Sequence, residues 1–202
     1  APLEVVVREG SFLHAEEPYP CQWYFSSLGL VIDLILKAMS TAMPAVAIAA
    51  HYGDVMSWNF GGTDPETGEY WYKPEPNAGG WGGSAHADGE HAMWALIQGE
   101  IKDFPVEVIE AKYPIDVLRY ELRSDSGGAG QHPGGCGVVR EFRMRHDGVR
   151  MTTWLERRGM PAWGVLGGQE GAPPDVVVRP GSDTEAHPYK ATGFPLSRGD
   201  VV

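Results

Sequence analysis

Apolar residues recur at helical spacing in one long stretch of the chain. Leu28, Val31, Ile32, Ile35, Met39 and Met43 fall three or four apart, and Leu30, Leu34 and Leu36 widen the stripe. The pattern predicts a helix over 26–43, buried on most sides. Ser26 or Ser27 caps it and Pro44 ends it. Residues 3–7 read as a strand, and so does the aromatic run 69–73. Residues 79–83 (Gly-Gly-Trp-Gly-Gly) read as a flexible hinge or loop. A short helix is expected over 89–101, which holds Met93, Trp94, Leu96 and Ile97.

After Pro105 the period changes to two. Residues 106–110, 117–123, 138–144, 149–155 and 176–179 all suit strands, and Phe142 and Met144 share a face opposite Glu141 and Arg143. Asp147-Gly148, between two alternating runs, is a two-residue hairpin signal. The fold class is therefore α+β: one buried N-terminal-side helix and a glycine-rich, mostly antiparallel β second half. Residues 1–104 read as a mixed α/β segment continuing a larger upstream domain, and 105–202 as a β-rich segment of the same subunit. The chain starts at Ala1 and stops at Val202, and both ends read as cuts through a longer protein.

Composition narrows the function classes. Hydrophobic residues make up 43% and charged residues 21%, so a packed core is available; the 27 glycines and 16 prolines read as many tight turns. A net charge of −11 argues against nucleic acid as a partner. Eight of the eleven arginines nevertheless lie between Arg119 and Arg158. They read either as solvated strand faces or as a surface for an acidic partner subunit. The apolar run 28–43 carries Asp33 and Lys37 and is too short and charged to span a bilayer, so no membrane role is expected. Cys21 and Cys136 belong to no paired motif and read as reduced thiols, with a single bridge left open. Trp58, Trp71, Trp81 and Trp94 are expected to be exposed aromatics making contacts beyond this chain.

Three constellations carry candidate chemistry. His86, Asp88 and His91 are imidazole and carboxylate groups close enough in sequence to ligate a divalent metal, although no standard spacing is matched. The competing reading makes Asp88 the N-cap of a helix beginning near Glu90. The loops at 79–83 and 127–130 offer successive amides for an anion, but neither has a phosphate-loop pattern, and tight turns explain them as well. Asp125-Ser126 lacks an adjacent base, with His132 six residues on, so turn capping outweighs a nucleophile there.

A resemblance adds a reaction. The run from Pro105 (PVEVIEAKYPIDVLRYELRSDSGGAG) and its continuation from Gly134 (GGCGVVREF) resemble the C-terminal part of hydantoinase B/oxoprolinase family proteins. Gly61-Gly-Thr-Asp-Pro65, Gly79-Gly-Trp-Gly82, Asp88-Gly89 and Pro161-Ala-Trp-Gly-Val-Leu-Gly-Gly168 follow in the same family order. The resemblance implies an intracellular, cytoplasmic, hetero-oligomeric enzyme. ATP is held by its A-type partner, and a divalent metal (Mg, Mn or Zn) is held mainly outside this segment. It implies ATP-dependent opening of a cyclic amide such as a hydantoin or 5-oxoproline. Carboxylation of a ketone such as acetone is the alternative, and a non-catalytic assembly module the third reading. The chain departs from the family pattern at 91–103 and at Gln131-His132-Pro133, where an arginine-bearing turn is usual. The glycine-flanked loops that bear Asp64, His86, Asp88 and Asp125 are the expected site, because glycine lets backbone approach a ligand. Asp88, Asp64 and Asp125 are the catalytic candidates, with Asp88 first; His86, Asp88 and His91 are the metal candidates.

Overall fold

The computed structural model describes residues 4, 6–19, 25–53, 55–98 and 101–202. Cys21 and part of the strand expected over 3–7 lie outside the described residues; Glu4, Val6 and Val7 are in no strand. Helix α1 spans Phe25–Ser40 and is followed by a 3-10 turn, Pro44–Val46. Strands β1 (Ser57–Thr63) and β2 (Tyr70–Glu75) form a hairpin. Helix α2 (Val106–Lys112) precedes β3 (Ile115–Leu122), β4 (Val138–Met144), β5 (Val149–Trp154) and β6 (Lys190–Leu196). The strands make one four-stranded sheet, β2-β1-β5-β6, and one pair, β3-β4, with all neighbours antiparallel. The architecture is α+β.

A period of two sorts the side chains of the sheets. β4 buries Arg140, Phe142 and Met144, and β5 buries Val149, Met151 and Thr153, each on alternate residues. The two sheets close on one core, where Trp58, Phe60 and Phe142 meet with ring centroids 5.2–5.7 Å apart. Asp147-Gly148 turns the chain there, with Gly148 at φ +78°, but it is not a hairpin. β4 and β5 belong to different sheets. Both edges of β4 are taken already: β3 pairs along one, and Phe142 and Val202 exchange backbone bonds of 2.9 Å along the other. The turn therefore hands the chain across the core.

Three more expectations change. Residues 106–110 alternate like a strand but form α2. Glu107 in its first turn and Lys112 in its last complement the helix dipole, only Ile109 is buried, and Pro114 stops the run. The described part of 89–101 forms no helix and bridges Gly79 through Met93. In place of a strand over 176–179 there is a single bridge from Val178 to Ala186, and Arg179 turns away at φ +56°.

Helix α1 starts where expected but ends at Ser40, short of Met43 and Pro44, and its orientation is the reverse of the expected one. Its stripe of Gly29, Asp33 and Lys37, four residues apart, faces the rest of the chain: Gly29 approaches His51, Asp33 bonds His51 and Arg157, and Lys37 lies over the Trp163 ring. Leu28, Leu34, Ile35 and Met39 are exposed. The tryptophans behave in the opposite way. Trp58 is buried, Trp71 donates to His146 at 3.0 Å, and Trp81 donates to the Trp94 carbonyl at 2.8 Å, so these rings serve this chain's own interior. Each of the eight clustered arginines also has a partner within the chain. Arg143 and Arg145, for example, share Asp116.

Candidate functional site

The glycine-rich segments are neither hinges nor loose turns. Segments 47–52, 79–84, 89–93, 126–137 and 162–172 run alongside one another, joined by backbone bonds. Ala49 donates to Gly83 (2.9 Å), Tyr52 to Gly80 (3.1 Å), Trp81 to Glu90 (3.0 Å), Gly135 to Trp81 (2.9 Å) and Ala50 to Trp163 (3.0 Å). The chains are too close for side chains between them. A Cβ on Gly80 would lie 1.9 Å from the Gly135 carbonyl oxygen, and one on Gly135 would lie 1.9 Å from that of Glu90. Only glycine fits such crowded axes, as in other bundles of extended chains. The glycines bring backbone to backbone, and of the amides offered to an anion by the first loop, those of Gly79 and Trp81 are bonded to the carbonyls of Met93 and Glu90.

This bundle fixes the candidate residues. Asp88 is exposed, and its Oδ1 lies 3.1 Å from His132 Nδ1. With no helix after it, Asp88 caps none. His91 Nδ1 accepts the Cys136 amide at 2.8 Å, and His86 stands exposed on a turn closed by the Ser84 hydroxyl. Among the described residues no group of three or more His, Cys, Asp or Glu side chains converges as a metal site. The trio His86, Asp88 and His91 is therefore not gathered here: Asp88 faces His132 and the His91 ring is held by Cys136. Asp64 accepts the amides of Glu66 (2.8 Å) and Thr67 (3.2 Å), closing the β1–β2 turn. Asp125 is exposed at φ +56°. Beside it, the Ser126 hydroxyl donates to the Arg123 carbonyl (2.7 Å) and accepts the Gly137 amide (2.9 Å). Of the sequence candidates, only Asp88 and His132 are brought together, while Ser126 and His132 both line the cavity described next.

That cavity, of about 780 Å³, runs along the bundle, and its walls include Tyr52, Trp58, Ser126, His132, Arg157 and Trp163. Behind it lies an ion cluster that sequence reasoning misses. Asp33, His51 and Arg157 are all buried; Asp33 Oδ2 lies 2.7 Å from His51 Nδ1 and accepts Arg157 Nη2 as well. Burial pushes the Arg157 guanidinium below its usual range, opposed by the Asp33 and Glu156 carboxylates. One signal is there to be read: Asp33 is the one acid of a mostly apolar helix, flanked by apolar residues on both sides, a position that calls for a partner. A second cluster joins the buried Lys73, Glu75 and Arg140 to the part-exposed Asp103 beside a smaller cavity of about 490 Å³. Burial pushes Arg140 down to about 10.

The fold and this glycine-lined cavity define a class. The chain belongs to the hydantoinase B/oxoprolinase family, whose family model matches residues 1–202. It is 29% identical over 184 residues to the putative B subunit of a D-/L-hydantoinase from Pseudomonas sp. (strain NS671), covering 91% of this chain and 30% of that protein. The crystal structure of ATP-dependent caprolactamase from Pseudomonas jessenii superposes with a TM-score of 0.78 at 24% identity, over 98% of this chain and 36% of its own. The nucleotide-free structure of acetone carboxylase gives 0.61 at 19% identity, over 75% and 25%. These two structures share the fold. The chain spans about a third or less of the relatives it matches.

Proposed function

We propose that this chain is part of the B-type subunit of an ATP-dependent cyclic-amide hydrolase of the hydantoinase/5-oxoprolinase type. The observation that carries the reading is the family match over 1–202, together with the similarity to the B subunit of a hydantoinase along 91% of the chain. A ketone carboxylase is the second reading, favoured by the acetone carboxylase fold, which covers less of the chain than the caprolactamase does. In either case ATP, held on an A-type partner, supplies a phosphoryl group that turns a poor leaving oxygen into a good one. A divalent ion held mainly outside this segment is part of the same reading; among the described residues no group of three or more His, Cys, Asp or Glu side chains converges. The exposed apolar side of α1 supports contacts with the partner or with other parts of the B-type subunit. No described helix is long and apolar enough to cross a membrane.

Within this reading Asp88 and His132 do the local work. His132 lines the cavity and holds the Asp88 carboxylate, which accepts an amide N–H of the ring and orients it. The test is reconstitution with the A-type partner. ATP hydrolysis is expected to require a cyclic amide and to be indifferent to bicarbonate. Dependence on a ketone and bicarbonate would replace this reading with the carboxylase. Asp88→Asn is expected to lower turnover at least about tenfold, equivalent to one lost charge-assisted hydrogen bond. Normal turnover in this variant would remove Asp88 from the site.

A further inference from the structure

The cavity wall beside α1 is built of donors with nothing to bind. Arg157 uses Nη2 on Asp33, while its Nε and Nη1 have no hydrogen-bond partner and no contact with solvent. Trp163 Nε1 and Trp58 Nε1, in the same cavity lining, are also unfilled. Arginine and indole nitrogens donate only. Leaving such donors buried and unmade is costly, and more so on a cation. Charge points the same way. The Trp163 ring carries the Arg157 guanidinium 4.4 Å from its centroid and the Lys37 ammonium at 4.5 Å. Two cations thus stand around this ring; Asp33 is bonded to Arg157 through one nitrogen, and Glu156 adds a second carboxylate that acts on Arg157 from further off. What stays unmet is the set of unmade donors, two of them on a cation, and an anion rich in acceptors matches them better than a neutral ligand does.

We propose that the cavity bounded by Arg157, Trp163 and Trp58 is a binding site for an organic carboxylate, with Arg157 as the residue that reads its charge. Asp33 and His51 are positioning residues: they hold the guanidinium on the Trp163 face, which leaves Nε and Nη1 for the ligand. Opening a cyclic amide with water converts its carbonyl carbon into a carboxylate. The site therefore suits the ring-opened product, an identification that rests on the proposed function above.

The test is calorimetric titration of the full-length protein carrying this chain, without ATP and at fixed ionic strength, with acetate, acetamide and inorganic phosphate. Acetate is expected to bind saturably, with acetamide and phosphate each at least about tenfold weaker. Arg157→Lys keeps the charge but loses the planar fork, and is expected to weaken acetate at least about tenfold. Trp163→Phe keeps the ring face and removes one donor, and is expected to weaken it about threefold or more with an unchanged melting temperature. The second variant decides the matter if the first does not fold. Absence of saturable acetate binding, acetamide or phosphate binding as tightly, or full acetate affinity in both folded variants would each overturn the site. Binding does not need ATP. Amide turnover without acetate binding rejects the site alone, and acetate binding without amide turnover rejects only the reaction.

Discussion

The Ser126 hydroxyl works as a joint. It ties the Arg123 carbonyl to the Gly137 amide, and so fastens the start of one glycine segment to its end. Ser126→Ala leaves the Gly137 amide unmade. It is expected to cost about 1–3 kcal/mol in urea unfolding with turnover of the assembled enzyme retained; lost turnover at full stability would give the hydroxyl a chemical role. His187 behaves differently because it is exposed. It faces Asp175 at 2.8 Å and Glu185 at 3.1 Å, and their hydrogen bonds raise its pKa above the ordinary 6.5. Its contribution is complete below the unfolded value and fades as pH rises through the raised folded one. An NMR titration of His187 should show a midpoint above 6.5, and Asp175→Asn should bring it down. Single residues are legible only where their partners are close in sequence. The turn-closing role of Ser126 can be read from its neighbours. The bond from Asp33 to Arg157 spans 124 positions, and nothing local to either residue specifies it.

Among the elements, the glycine bundle is the most sensitive to one methyl group. Gly80→Ala forces a Cβ to 1.9 Å from a carbonyl oxygen, whereas Gly159 has nothing within 4 Å of where its Cβ would stand. Gly80→Ala is expected to destabilise by about 3 kcal/mol or more and Gly159→Ala by less than about 0.5, compared by thermal melting. Equal melting temperatures would mean that the segments are not packed as described. The same contrast explains what can be read beforehand. β2, β3, β4 and β5 announce themselves through runs of alternating, β-branched or aromatic residues. β1 escapes notice because Gly61 and Gly62 break its second half, and β6 because Gly193 and Pro195 interrupt its pattern. In the bundle many inward positions are glycines without a side chain, so little hydrophobic period exists to find. The 106–110 run has a period of two by coincidence of Val and Glu, and the Pro105 and Lys112 ends decide for helix.

At the scale of the whole molecule, α1 is joined by charge and a ring while the sheets are joined by a core. Its docking stripe is Gly29, Asp33 and Lys37, and several of its leucines are exposed. Hydrogen exchange on this chain is expected to be faster in α1 than in β1 and β5, because few buried apolar contacts resist its opening. Equal protection would place α1 within the same cooperative unit. The central sheet has another property, set by its wiring. Ser57 pairs with Trp154, so β1 cannot complete its second edge until β5 has been made. At about 5–20 residues per second, translation takes roughly 5–19 seconds to cover that interval. Throughout it the β1–β2 hairpin, marginal alone, leaves one bare edge open to other nascent chains. The yield of this polypeptide in a foreign host should therefore depend on elongation speed and on holding chaperones as much as on the stability of the finished fold.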